Sequence, residues 1–188
     1  VKPRIAQNIA DLSTYIERGW PIVGVEPSCL LTYRDDYIDL APDRAAARRL
    51  ADRIFMLDEF LATVEREEDG GLGYEFDPVA THVLLHGHCH QKALANTSDT
   101  SYLLGLPPGF QVEELASGCC GMAGSFGYER EHYDVSMEVG RERLFEPIMA
   151  ANPDAVVAAA GTSCRHQIAD ATGKRPQHWA QVLADVVQ

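Results

Sequence analysis

The run Ser117-Gly118-Cys119-Cys120-Gly121-Met122-Ala123-Gly124-Ser125-Phe126-Gly127 constrains this chain more than any other stretch. Cys119 and Cys120 are neighbours, which rules out an unstrained disulfide between them. Cα atoms across a trans peptide lie about 3.8 Å apart, below the roughly 4.4–6.8 Å of a relaxed bridge. Flanking glycines let the backbone turn tightly and let a bulky group come close to it. Two thiols projected from one such turn suit a polynuclear metal centre, because their sulfurs can reach different metal atoms. Free cysteine is often a buried small hydrophobe, but the pair lacks the surrounding apolar neighbours a core position would require, so a plain core position is not expected.

The rest of the composition narrows the chemistry. With 188 residues the chain is long enough for one sizeable domain or two small halves, and it is 46% hydrophobic and 23% charged. Its formal net charge is −12 and it has no basic run. That argues against a nucleic-acid partner or an anionic membrane surface, both of which need clustered Lys and Arg. No apolar run approaches the roughly 20 residues of a spanning helix, and no signal-peptide pattern opens the chain. Its five cysteines do not resemble a secreted disulfide framework, so metal ligation or thiol chemistry in a reducing, cytoplasmic setting is the expectation.

Hydrophobic periodicity predicts alternating helices and strands. Helical spacing of Ile5, Ile9, Leu12 and Ile16 ends at Gly19, and Pro21–Val25 reads as a short buried strand delivering Glu26-Pro27-Ser28-Cys29. Asp43 reads as the N-cap of one long helix through Glu67, with Leu50, Ile54, Leu57, Leu61 and Val64 inward, closed by Gly70-Gly71-Leu72-Gly73. Thr81–His86 reads as a strand emptying into Gly87-His88-Cys89-His90, then a helix to Leu104. Phe110–Leu115 is a further strand ending at the double cysteine. Tyr128–Ala150 is a helix with Val135, Val139 and Leu144 inward. The small apolar run Ala155–Ala160 is a strand covered on both faces. Gly161-Thr162-Ser163-Cys164 and a closing helix, His178–Val187, follow. The pattern is that of an α/β, Rossmann-like fold with a mainly parallel sheet.

An internal echo organises these elements. Helix, strand and Pro27-Ser28-Cys29 at the start match helix, strand and Thr162-Ser163-Cys164 at the end. The chain therefore reads as one α/β domain of two pseudo-repeats with the first truncated. Residues 1–42 are the tail of the first repeat, 43–77 a connecting helix and linker, and 78–188 the complete second repeat. Val1 reads as a cut through a longer protein.

Cys89, Cys119 and Cys164 each follow a predicted strand. The carboxyl ends of parallel strands share one edge, where ligands collect. Three turns from that edge can bring Cys89, Cys119, Cys120 and Cys164 to one point. Four thiolates suit an iron–sulfur cluster or a tetrahedral zinc. Ligands drawn from three separate turns fit a larger cluster better than the closely paired cysteines of zinc fingers. His88, His90 and His166 flank these positions and, with Gly121, are candidates to tune the centre through hydrogen bonds. His86, His88 and His90 alternate as in zinc hydrolases, but no Asp follows at the hydrolase spacing. Gly121, Gly124 and Gly127 give GxxGxxG rather than a nucleotide-binding loop.

His88-Cys89-His90-Gln91-Lys92-Ala93, Cys119-Cys120-Gly121 and Gly161-Thr162-Ser163-Cys164-Arg165-His166-Gln167 together resemble the cysteine-rich CCG domain family. That family includes the cysteine-rich subunit of heterodisulfide reductase and the iron–sulfur subunits of glycolate oxidase, anaerobic glycerol-3-phosphate dehydrogenase and lactate oxidation systems. The first run is most similar to the Fe–S region of FAD-linked 2-hydroxyacid dehydrogenase fusions. The resemblance implies a [4Fe–4S] centre that passes electrons from a flavin towards a quinone or another acceptor. Its implied partners are a flavin dehydrogenase domain or subunit and a ferredoxin-type Fe–S domain, located in the cytoplasm or peripherally at the inner face of the membrane. The FAD belongs to the parent protein, so this piece alone is not expected to turn over substrate. Family repeats carry a single Cys, then Cys-Cys-Gly, then Cys-x-x-Cys. Here the first cysteine of the last motif falls on Gly161, leaving Cys89, Cys119, Cys120 and Cys164 as the implied ligands. Cys29, the matching cysteine of the truncated repeat, is an additional ligand or an orphan. A thiol–disulfide reductase of the heterodisulfide type and a zinc-stabilised, non-catalytic interaction module are the alternatives.

Overall fold

Strands and helices alternate along the chain, and every pairing within its two sheets is parallel, as the periodicity predicts. The computed structural model describes residues 1–188. They form two compact units, Val1–Phe60 and Leu61–Gln188, taken in turn.

The first unit contains α1 (Lys2–Glu17), β1 (Ile22–Gly24), α2 (Pro27–Arg34), α3 (Asp36–Leu40), α4 (Arg44–Ala51) and β2 (Ile54–Met56). Asp43 caps α4, its carboxylate accepting from the Ala46 N–H at 3.0 Å. The long helix expected beyond it does not form. It stops at Ala51, and Ile54-Phe55-Met56 instead lies parallel to β1, Ile54 opposite Ile22 and Met56 opposite Gly24. The reason is competition for the backbone. A helix would leave the edge of β1 unpaired, whereas the strand satisfies it and buries Ile54 and Met56 almost completely. Ile54 keeps helical spacing with Leu50 and Leu57, which is why periodicity alone misplaces it. The expected Pro21–Val25 strand is also shorter and less buried, with Val23 and Val25 exposed. The core of this unit comes from Leu30, Leu31, Ala47, Leu50 and Ile54. Arg34 closes one side, donating to both Glu59 oxygens at 2.8 and 2.9 Å.

Helix α5 (Leu57–Glu67) leads into the second unit, where β3 (Thr81–His86), β4 (Phe110–Glu114) and β5 (Val156–Ala159) form a sheet in the order β4-β3-β5. β3 is central, which explains its apolar run: Val83, Leu84 and Leu85 are buried. The helix expected to run to Leu104 divides into α6 (Cys89–Leu94) and α7 (Ser98–Leu104). Asn96 causes the break, its side chain accepting from the Ser98 N–H at 2.9 Å in a local turn.

The helix expected over Tyr128–Ala150 is likewise segmented. A 3₁₀ turn (Phe126–Tyr128) precedes α8 (Tyr133–Gly140), a π-helical stretch (Arg141–Phe145) and α9 (Glu146–Ala150). Its inward face differs from expectation as well. Ser136, Gly140 and Leu144 are buried, whereas Val135 and Val139 are exposed. The surface beneath α8 is backbone, and only small residues can approach it. A Cβ at Gly140 would stand 2.7 Å from Cys120 O and 2.1 Å from Phe145 Cζ. After β5 come α10 (Thr162–Thr172) and α11 (Trp179–Ala184), the latter opened by a capping box between His178 and Gln181. No helix is long and apolar enough to cross a membrane.

Candidate metal centre

Because β4, β3 and β5 run in parallel, their carboxyl ends lie along one edge. The Cys119-Cys120 turn leaves β4, Gly87-His88-Cys89 leaves β3, and Gly161–Cys164 leaves β5. Each turn is fixed by its own local chemistry. Cys89 opens α6, where the preceding His88 acts as N-cap, its Nδ1 accepting from the His90 N–H at 3.2 Å. Cys164 lies in the first turn of α10, and Arg165 folds back to donate to Ala159 O at 2.9 Å and Ala160 O at 2.6 Å. Those bonds satisfy carbonyls at the end of β5 and tie the helix to the strand.

The double-cysteine turn is held from several directions. Lys92 on α6 donates from Nζ to Ser117 O at 2.5 Å and Gly118 O at 3.2 Å. Gly121 takes φ +94°, and a Cβ there would lie 1.9 Å from Ser136 O, so no other residue fits. Ser136 Oγ donates to Gly121 O at 2.9 Å and accepts from Gln167 Nε2 at 2.8 Å, linking α8, the turn and α10.

Within this frame the thiols of Cys89, Cys119, Cys120 and Cys164 form one hydrogen-bonded row in that order. Exposure falls along the row. Cys89 is exposed and Cys119 intermediate, while Cys120 and Cys164 are buried. The row alternates in charge. Hydrogen bonds from Cys120 and Cys89, and the Gly121 N–H at 3.3 Å from Sγ, hold Cys119 well below the ordinary thiol range. Cys164 is held down to about 5, first by Cys120 and then by the His86 and His88 imidazoles, against the opposing effect of burial. Cys89 and Cys120 are pushed up, chiefly because each donates to Cys119. Acidity thus alternates along the row, lowered at Cys119 and Cys164 and raised at Cys89 and Cys120, and a cation bound there would displace the remaining protons.

Cys120 corrects one expectation. It belongs to the apolar core, in a cluster with Leu84, Leu115, Met122, Leu144, Phe145 and Cys164. Met122 is close in sequence, but Leu84, Leu144, Phe145 and Cys164 come from distant segments, which the local sequence does not reveal.

The flanking residues divide. His88 is buried beside the site and fills the space beside Gly161. A Cβ there would lie 2.4 Å from His88 Cδ2, 3.1 Å from its Nε2 and 3.2 Å from Cys164 Sγ. His90 is half-buried, its ring 6.5 Å from that of His88. His166 instead pairs its Nδ1 with Tyr128 Oη in a surface cleft. Cys29 lies in the first unit, exposed on α2 near Tyr33. It occupies the third position of its helix, as Cys164 does in α10.

Sequence reasoning passed over His86 as a member of this site. It is the last residue of β3, buried, and its ligating nitrogen, Cys120 Sγ and Cys164 Sγ all lie within 4.8 Å of one another. The available signal was a polar residue closing the central, otherwise apolar strand.

The fold and site define an α/β protein with a row of cysteines and a buried histidine able to hold a metal. Its relatives are dehydrogenases or components of them. Over 170 residues it is 30% identical to a subunit of the anaerobic glycerol-3-phosphate dehydrogenase of Escherichia coli (strain K12), covering 90% of this chain and 41% of that protein. Over 192 residues it is 29% identical to D-2-hydroxyglutarate dehydrogenase of the same organism, covering 98% of this chain and 17% of that protein. The corresponding enzyme of Pantoea ananatis is 28% identical over 188 residues, with coverage of 98% and 17%. The chain thus spans less than half the length of these relatives. No protein-family profile matches it, and no solved structure matches it significantly.

Proposed function

We propose that this chain is the iron–sulfur, electron-carrying region of a flavin-linked oxidoreductase that acts on a 2-hydroxy acid of the glycolate, lactate or 2-hydroxyglutarate class. Cys89, Cys119, Cys120 and Cys164 hold a [4Fe–4S] cluster in this reading. The observation that carries it is the continuous row of four thiols assembled from three strand ends. The donor set fits a cluster. It is rich in sulfur and bordered by the Gly121 N–H, which is positioned to hydrogen-bond sulfur. When bound, the cluster supplies one-electron transfer, while hydride chemistry belongs to a flavin elsewhere in the protein.

The chain's own groups account for the rest. Lys92 and Ser136 fix the backbone on which Cys119 and Cys120 ride. Cys89 and Cys120 give up protons as their sulfurs become ligands. Buried Cys120 and Cys164 keep water from the inner side, and exposed Cys89 faces the side from which a partner approaches. The partners in this reading are a flavin dehydrogenase domain and a ferredoxin-type domain, with a quinone or other acceptor beyond them. Residues 78–188 form the complete repeat, 1–42 the tail of another and 43–77 the connection. The matching placement of Cys29 and Cys164 in their helices supports that division.

Anaerobic purification of the full chain, with metal and sulfide assays and low-temperature EPR, tests the proposal. The expected result is iron and acid-labile sulfide in equal amounts, with a paramagnetic signal lost in Cys119→Ser and Cys120→Ser. Colourless protein carrying stoichiometric zinc would replace it with the zinc-stabilised module.

A further inference from the structure

We infer that His86 is a nitrogen ligand of the metal centre, joining Cys120 and Cys164 at its buried end, so that the donor set is mixed imidazole and thiolate. The inference rests on the metal-binding reading above and adds a ligand to it.

The argument starts from a polar atom without a partner. His86 is 1% exposed, and its Nε2 is buried with no hydrogen bond. A buried imidazole nitrogen left without a partner is destabilising, so such an atom at the end of a central strand calls for an explanation. The other ring nitrogen is well satisfied, with Nδ1 2.7 Å from Ser117 Oγ. The Ser117 hydroxyl has Leu115 O at 3.4 Å as its own acceptor. With the hydroxyl proton directed there, Nδ1–H donates to Ser117 Oγ and the lone pair stays on Nε2. This is how metal-bound histidines are usually oriented, one nitrogen held by an outer partner and the other left for the ion.

Location completes the case. The ligating nitrogen of His86 and the sulfurs of Cys120 and Cys164 lie within 4.8 Å of one another. Three donors this close and this buried enclose a point that one metal atom can occupy. The His86 imidazole also acts on the Cys164 sulfur, helping to hold that thiol down, so the two donors already interact across the site.

Cobalt(II) is the direct probe, because it binds thiolate–imidazole sites whether or not a cluster assembles. The full chain is titrated anaerobically with Co(II), following sulfur-to-cobalt charge transfer, and a parallel sample is reconstituted with iron and sulfide for pulsed EPR of nitrogen couplings. Expected results are a strongly coupled nitrogen in the unaltered protein, its loss in His86→Ala with Co(II) affinity weakened about 100-fold, and its retention in His88→Ala. Ser117→Ala should weaken Co(II) binding about 10-fold by freeing the ring, the lower end of the 10–100-fold cost of losing an outer partner. If His86→Ala does not fold, ¹⁵N-histidine labelling of the unaltered protein reads the same coupling without a substitution. Metal bound through thiolates with no strongly coupled nitrogen would overturn the inference and leave the thiolate centre standing. A nitrogen coupling that disappears in His88→Ala but persists in His86→Ala would overturn it as well. Failure to bind either cobalt or iron would remove both readings together.

Discussion

Cys119 and Cys89 are adjacent in the thiol row yet opposite in character. Hydrogen bonds from its neighbours hold Cys119 below the ordinary thiol range, while the more exposed Cys89, which donates to it, is pushed up. Reactivity should follow ionisation rather than exposure. In metal-free protein, iodoacetamide at about pH 6 should label Cys119 first, since an ordinary thiol of pKa ~8.5 is almost wholly protonated there. Cys89 should lag until the solution is more alkaline than that, because its shift is upward. Peptide mapping over a pH series checks the order, and Cys89 labelled ahead of Cys119 at low pH would contradict it. Gly161 gives a second residue-level prediction. His88 stands where a side chain at 161 would begin, so Gly161→Cys alone should cost about 1–3 kcal/mol from overpacking. In Gly161→Cys with His88→Ala, the combined loss should be smaller than the sum of the two single losses, as urea unfolding would show. The thiols themselves were legible in the sequence because each follows a strand directly. His86 was not, because a polar residue ending an apolar strand looks the same in sequence whether it meets water, a serine or a metal.

Among the elements, the strands were read more reliably than the helices. Thr81–His86 was placed at its observed limits, since a central parallel strand is apolar throughout and flanked by turn residues. The helix through Ile54 was misplaced because helical spacing continued across a three-residue strand, and only pairing with β1 distinguishes the two. Helix α8 failed in another way. Its valines suggested an inward face, but the packing beneath admits only Ser136 and Gly140. That close approach carries a prediction. Gly140→Ala would press on Phe145 and on the Cys120 carbonyl, costing about 1–3 kcal/mol and lowering metal uptake. Val139→Thr, on the exposed side, should do neither. Equal losses from the two substitutions, measured by urea unfolding and metal titration, would show that α8 does not support the turn.

For the whole molecule, the thiol row belongs entirely to the second of the two compact units. A bound metal stabilises only the structure that holds it. Removing the metal should therefore speed amide exchange at the end of β3, through Leu115–Gly127 and in the first turn of α10. Exchange in Val1–Phe60 should be unchanged. Hydrogen exchange with mass spectrometry on loaded and stripped protein checks this, and a uniform rise across both units would contradict it.

The fall in exposure from Cys89 to Cys164 also sets a direction for damage. Oxidants arriving from solvent meet the outermost sulfur first, and the two inner ones are shielded by the apolar packing around Leu84, Leu144 and Phe145. In the loaded centre every ligand sulfur is a thiolate, so exposure rather than ionisation decides, and corrosion in air should proceed from the rim inward, giving sulfenic acid at Cys89 while Cys120 and Cys164 stay reduced. A centre built on this gradient loses its surface corner before its anchor, so an aerobically damaged molecule keeps the ligands from which repair can begin.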